Sequence, residues 1–156
     1  MEYYKYLRQF VGHRPIILPG SVVLVFDSAG AVLLEQRTSG HFGLPGGMMD
    51  LGESFETVAL REVKEETNLT IRTLEFFKNY SGPSHHVVLE NGDEMYVVTA
   101  VFYTMDYDGD LQYNPDESLG VHFFPLDQLP ELMVPVHLRM IQEFQEFAIT
   151  KGNVLK

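Results

Sequence analysis

The stretch from Leu44 to Leu69 constrains this chain more than any other part of it. Leu44-Pro45-Gly46-Gly47 is a glycine-rich loop, and Phe55 to Leu69 has helical spacing. A helix advances about 100° per residue. With Phe55 at zero, Val58, Ala59, Val63 and Leu69 fall within about 80° of it and define a core-facing stripe. Glu62 and Glu66 land in the middle of that stripe and Glu65 at its edge, while Glu56, Lys64 and Thr67 point the other way, toward water. A solvated helix would carry its acids opposite the apolar side. Inward carboxylates left unpaired are very costly, so the pattern asks for a cation. The bland alternative is a surface helix whose acids pair with Lys64 or Arg61.

A hard divalent ion answers the pattern best. Magnesium takes oxygen ligands at about 2.1 Å and is typically held by a few carboxylates plus substrate phosphates. Spacings of three and four residues bring Glu62, Glu65 and Glu66 within reach of a shared ion. Three close carboxylates also raise one another's proton affinity until a cation neutralises them.

The segment resembles the Nudix box: Gly, five residues, Glu, seven residues, Arg-Glu, an aliphatic residue, any residue, Glu-Glu, any residue, Gly and an aliphatic residue. Gly47, Glu53, Arg61, Glu62, Val63, Glu65, Glu66 and Leu69 match position by position, so the box spans residues 47–69. Asn68 replaces the final glycine. That departure is mild, because a helix C-terminus favours a left-handed residue and Asn is the common second choice. The resemblance implies an α/β Nudix fold, an α/β/α sandwich with a mixed, largely antiparallel sheet. It implies Mg²⁺ (or Mn²⁺) as cofactor, with Glu62, Glu65, Glu66 and the Gly46 carbonyl as metal ligands. It also implies that Glu53 and Arg61 orient the catalytic carboxylates, where the residues alone would allow a surface ion pair.

Length and composition fit one small enzyme. The 156 residues form a single domain, 1–156, large enough to bury a substantial core. The absence of Cys rules out disulfides and thiolate metal sites. A net charge of -11 leaves no basic stripe to neutralise a nucleic-acid polymer, yet a small phosphate ester can arrive with its metal. The longest apolar runs are too short to span a bilayer, and the N-terminus lacks a signal peptide's basic start and apolar core. The expectation is a cytoplasmic protein acting on a small-molecule nucleotide, with no nucleic-acid polymer and no membrane as partner and a homodimer left open.

Hydrophobic periodicity places the other elements. Tyr3, Leu7, Phe10 and Val11 have helical spacing, ended by Gly12. Pro15 to Leu18, Ser21 to Asp27 and Ala31 to Gln36 read as strands, with Asp27-Ser28-Ala29-Gly30 as the hairpin turn between the last two. The box helix runs from about Ser54, a good N-cap, to Asn68. Ile71 to Tyr80, Glu94 to Met105 and Val121 to Phe124 read as further strands. Glu94 to Met105 is apolar on both faces, as a central strand covered on both sides would be. Pro135 to Ile149 is a final helix with Met140, Ile141, Phe144, Phe147 and Ala148 inward.

Several residues stand out one at a time. Gly46 and Gly47 are turn glycines or, on the functional reading, places where the backbone reaches metal and pyrophosphate; Gly47 is a substrate-binding candidate. Arg37 is either a phosphate contact or a solvated strand-end cation. Phe42, before Leu-Pro-Gly-Gly, is a substrate-side candidate for which packing is the better reading. Glu117, in Asp116-Glu117-Ser118-Leu119-Gly120, resembles the acid of a late family loop that serves as extra ligand or general base, with a solvated acidic loop as the alternative. Glu94 is the weaker competitor. His85-His86 is no metal pair, because neighbours on a strand face opposite ways, and reads as a loop or substrate-side feature.

The implied reaction is hydrolysis of a pyrophosphate bond. The metal would bridge the pyrophosphate oxygens and position a water, and Glu66, Glu65 or Glu117 would accept its proton. Pro83 lies 14 residues after Leu69, a spacing similar to that in ADP-ribose-cleaving relatives, so ADP-ribose or another nucleoside-diphosphate sugar leads. A MutT-type role on nucleoside triphosphates is the runner-up. A non-catalytic nucleotide-sensing module is a third reading, opposed by the intact set Glu53, Arg61, Glu62, Glu65 and Glu66.

Overall fold

The computed structural model describes residues 2–152 together with Val154 and Leu155. At its centre are two long strands, β1 (Ile16–Val25) and β2 (Val32–Arg37). Sequence predicts two strands within the first, broken near Pro19. The structure runs one strand through. The Pro19 carbonyl accepts from the Met49 N–H, which turns its donor-less nitrogen toward the sheet edge, where proline is tolerated. The turn at residues 27–30 forms, with Gly30 N–H bonded to the Asp27 carbonyl, but the expected hairpin does not continue beyond a single bridge between Phe26 and Val32. It is a corner between sheets, since β1 and β2 belong to different ones.

Two short segments follow, β3 (Phe42–Gly43) and β4 (Gly46–Met48), and then the box helix α2 (Phe55–Thr67). An N-terminal helix, α1 (Tyr3–Val11), lies outside the main layers and buries none of its residues. Arg8 secures its end by donating to the carbonyls of Gly12, Arg14 and Glu94.

The expected strand from Ile71 to Tyr80 is divided into β5 (Thr70–Ile71) and β6 (Glu75–Tyr80). Between them Arg72 and Thr73 turn aside to bond Asp106. A 3₁₀ turn (Pro83–His85), β7 (His86–Val88), β8 (Glu94–Thr104), β9 (Tyr107–Asp108), β10 (Ser118–Phe124) and α3 (Pro135–Thr150) complete the chain. β10 begins three residues before the expected Val121.

β8 pairs in parallel with β1, from Ile16 opposite Met95 to Val25 opposite Thr104, and antiparallel with β6 and β7. β4 closes the other side of β1, antiparallel. β10, β2 and β3 form a second, antiparallel sheet, and β5 pairs with β9. The two faces are covered by different helices, as the pattern of β8 requires. Val22, Leu24, Phe26, Leu34 and Val101 pack against Met140, Ile141 and Phe144 of α3. Val23, Val25, Leu33, Ala100 and Phe102 pack against Ala59 and Val63 of α2. Each fully buried Val, Leu, Ile, Met or Phe among them contributes roughly 1.5–3 kcal/mol. The result is the expected α/β/α sandwich with a mixed, largely antiparallel sheet. Among the described residues no helix is long and apolar enough to cross a membrane.

Candidate active site

Local sequence chemistry sets α2 in place. The Ser54 hydroxyl caps its first turn by accepting from the Thr57 N–H at 3.1 Å. Asn68 ends it with φ 64°, the only non-glycine residue with positive φ among those described. Ser21 Oγ on β1 donates to the Phe55 carbonyl at 2.7 Å and fixes the helix start over the sheet. One expectation for the outer face fails. Thr67 is fully buried, because its carbonyl is bonded by the Gln112 N–H of a loop folded over the helix end. Its hydroxyl back-bonds to the Val63 carbonyl.

Glu66 is buried and its Oε2 accepts the Gly46 N–H at 2.9 Å. A Cβ on Gly46 would overlap the Ser21 carbonyl, and one on Gly47 would overlap the Glu62 carboxylate. Close approach to the β1 backbone thus requires glycine at 46, while at 47 a side chain would push the Glu62 carboxylate out of its place between β4 and α2.

Arg61 ties the inner acids to the loop. Its Nε and Nη2 bind the two oxygens of Glu53 at 2.5 and 2.8 Å. Its Nη1 reaches Glu62 at 2.7 Å and, more weakly, Glu65 at 3.4 Å, while Nη2 also donates to the Met48 carbonyl. Glu53 further accepts the Asp50 N–H. A forked, half-buried guanidinium of this kind is worth more than an exposed pair. It holds the Glu53 carboxyl below the usual range, and its own pKa rises.

A further acid enters from the sheet. Glu35 on β2 is buried, and its carboxyl meets that of Glu66. Burial pushes Glu35 up, opposed by the contact with Glu66 and by the Arg37 charge and reinforced by Glu117. Glu66 stands well above the ordinary glutamate value, first through burial and then through the charges of Glu35 and Glu62. Glu62 is also raised by burial, with Arg61 opposing and Glu65 and Glu117 adding to the rise. Sequence reasoning passed over Glu35. The signal was there: Glu35 shares its strand face with Leu33, which packs into the α2-side core.

The other expected residues are distributed as follows. Glu117 is exposed in the turn before β10, and its charge reaches Glu35 and Glu62. Glu65 is half exposed at the rim. Arg37 is exposed at the end of β2, beside Glu35 and His137. Phe42 meets Phe124 edge-on at 5.2 Å and packs against the core. Glu94 is not brought to the acids. Its carboxylate binds His86 Nε2 at 2.7 Å at the start of β8, seven residues and roughly 20 Å of strand from Val101, which lies opposite Val22. His85 and His86 diverge, one buried against Tyr80 and the other stacked on Tyr96.

Among the described residues no three acids or imidazoles already stand in a metal-holding arrangement. The donor chemistry nevertheless fits a hard divalent cation: oxygen ligands, and carboxyls whose pKa is raised by burial first and by neighbouring acids second.

Comparison with known proteins matches the NUDIX domain model to residues 18–144, well over half of the chain. The chain belongs to the Nudix family. The ADP-ribose pyrophosphatase of Methanocaldococcus jannaschii is 28% identical over 127 residues, covering 79% of this chain and 70% of that protein. The NAD-capped RNA hydrolase NudC of Yersinia pestis is 29% identical over 137 residues, 84% of this chain but 48% of NudC, so the chain spans about half the length of that relative. Among solved structures, the MutT NUDIX hydrolase from Burkholderia pseudomallei superimposes with a TM-score of 0.71 at 25% identity, over 82% of this chain and 97% of that one. The NUDIX domain of Shewanella oneidensis NrtR gives 0.67 at 23% identity, over 94% and 98%, a likeness of fold. In this Nudix domain the box lies where β4, α2 and β2 converge, and the sheet contributes a buried acid of its own.

Proposed function

We propose that this Nudix protein is a divalent-metal-dependent pyrophosphohydrolase. Its substrate is a nucleoside diphosphate joined to a second group, ADP-ribose or a nucleotide sugar first. One observation carries the reaction class. Glu35, Glu62 and Glu66 are directed into one partly buried place, where burial raises the proton affinity of all three and the charges of Glu35 and Glu62 raise that of Glu66 further, an arrangement that favours a cation. Glu62, Glu65, Glu66 and the Gly46 carbonyl would hold it. When bound, Mg²⁺ or Mn²⁺ supplies charge neutralisation to the pyrophosphate and acidifies a water.

The rest is done by the chain. Arg61 fixes Glu62 and Glu53 and so keeps the acids from splaying. Gly47, having no Cβ, leaves Glu62 its place against β4. Glu66, Glu65 or Glu117 accepts the proton of the attacking water. Water adds to one phosphorus and the bridging oxygen leaves with the other, giving a nucleoside monophosphate and a phosphorylated remainder. Arg37, exposed beside the acids, is the substrate-phosphate candidate.

The Pro83 spacing supports the choice of ADP-ribose, as does the relative named ADP-ribose pyrophosphatase. The resemblance to a MutT NUDIX hydrolase supports nucleoside triphosphates as the second reading, and the NudC relatives add NAD-type dinucleotides to the candidates.

A phosphate-release screen with Mg²⁺ decides among them. Diphosphate substrates are coupled to alkaline phosphatase, and triphosphates to inorganic pyrophosphatase. ADP-ribose should give the highest kcat/KM. A preference of tenfold or more for triphosphates or NAD would replace the substrate assignment. Full activity in thoroughly chelated protein would overturn the metal-dependent mechanism.

A further inference from the structure

The loop that carries Gly46 is bounded on both edges. On one edge Gly43 pairs with Glu35 of β2. On the other, the Phe42 N–H donates to the Leu132 carbonyl at 2.7 Å, and the Phe42 carbonyl accepts from Val134 at 2.8 Å. Phe42 and Met133 thus form a short parallel bridge. The next donor on that edge is the N–H of Leu44, a fully buried residue. A continued strand would offer it a carbonyl, because a buried amide needs a partner. Pro135 instead starts α3, and the chain turns away into helix.

The missing acceptor comes from a side chain. His137, buried in the first turn of α3, places Nδ1 2.9 Å from the Leu44 nitrogen. Accepting at Nδ1 puts the ring proton of the neutral imidazole on Nε2. Burial, with the nearby Arg37 charge, pushes His137 down to about 3, which keeps its ring neutral near pH 7. The fit is close: a Cβ on Gly43 would come within 2.8 Å of Nδ1. From Leu44 the chain continues through the Pro45 carbonyl, bonded by Val23 N–H, to the Gly46 N–H that holds Glu66.

We propose that His137 is a positioning residue, a surrogate strand acceptor by which α3 seats the Leu44–Gly47 loop and hence Glu66. It touches neither substrate nor the reacting atoms. The consequence for rate rests on the pyrophosphohydrolase reading above, whereas the consequence for the loop does not.

Amide hydrogen exchange of the substrate-free protein reads the loop directly, and steady-state kinetics read the rate. His137→Phe keeps the bulk and removes the acceptor. Leu44 and Gly46 amides should then exchange at least tenfold faster, and kcat should fall about 10- to 100-fold with KM changed less than about threefold. Asn presents Oδ1 at nearly the place of Nδ1, so His137→Asn should restore both protection and kcat to within about threefold of wild type. Unchanged protection of Leu44 in His137→Phe would overturn the proposal, as would unrestored protection in a folded His137→Asn. If His137→Phe does not fold, ¹⁵N imidazole spectra of the wild type decide: a bare Nδ1 with a proton on Nε2 supports the latch, and a proton on Nδ1 overturns it. A protein whose loop responds as described but which cleaves no pyrophosphate refutes the proposed function and supports the latch.

Discussion

Glu117 and Glu94 were the two acids outside the box with a claim on the reaction, and their surroundings separate them. Glu117 stands free in the turn before β10, and its charge is felt by Glu35 and Glu62. Glu94 is occupied by His86 at the start of β8. Catalytic acids on loops can move in when substrate arrives, so exposure in the free protein suits Glu117. In pH–rate profiles, Glu117→Gln should lose the acidic limb and at least tenfold in kcat, whereas Glu94→Gln should stay within about threefold of wild type. The reverse ranking would hand the role of base to Glu94. Local sequence alone could not have separated these acids, because one begins and the other precedes an apolar strand and the sheet register decides which end of the molecule each reaches.

At the scale of elements, the site depends on how closely β4 approaches α2. The caps that set α2 were legible, since Ser54 and Asn68 act on backbone within one helical turn. Its inward stripe was legible too, with Val58, Ala59, Val63 and Glu66 all buried. Gly47 is where the two elements touch, and a methyl there meets the Glu62 carboxylate. Gly47→Ala should therefore displace Glu62 from Arg61 and lower kcat by about 10²-fold or more, while circular dichroism stays that of the folded protein. Near-wild-type turnover would show that Glu62 yields without consequence. The failures at this scale have local causes as well. Thr67 sits on the expected outer face, but a loop 45 residues on covers it. Pro19 fails to break β1 because its nitrogen faces the edge.

Across the whole molecule the acid cluster sets a pH dependence with two opposing parts. His137 and His85 are held below the usual imidazole value, so folding loses stability as pH falls and the unfolded histidines take up protons. Glu35, Glu62 and Glu66 are held above the ordinary glutamate value of 4.5. Their contribution is full below that value and is lost as pH rises through their raised values. Comparison of wild type with Glu66→Gln cancels the histidines. In metal-free buffer the melting temperature of Glu66→Gln relative to wild type should rise as pH increases from about 4.5, then level off once Glu66 ionises in the fold. Mn²⁺ at pH 8 should stabilise wild type more than the variant, and the variant should lose about 10²- to 10⁴-fold in rate. A difference in melting temperature that is flat from pH 4.5 to 8 would remove Glu66 from the strained set.

The sequence by itself determined the box helix, its caps, the inward direction of Glu62 and Glu66 and the doubly covered β8. These follow from periods of 3.6 and 2 and from backbone bonds that close within a turn. Only the tertiary structure decided that Glu35 would face Glu66 across 31 positions and that His137 would supply the acceptor for Leu44 across 93. Each of those meetings joins groups on different elements. Their distance is set by how the sheets register and by how α2 and α3 dock on opposite faces, and that docking is decided by the packing of the whole core rather than by any local run of residues.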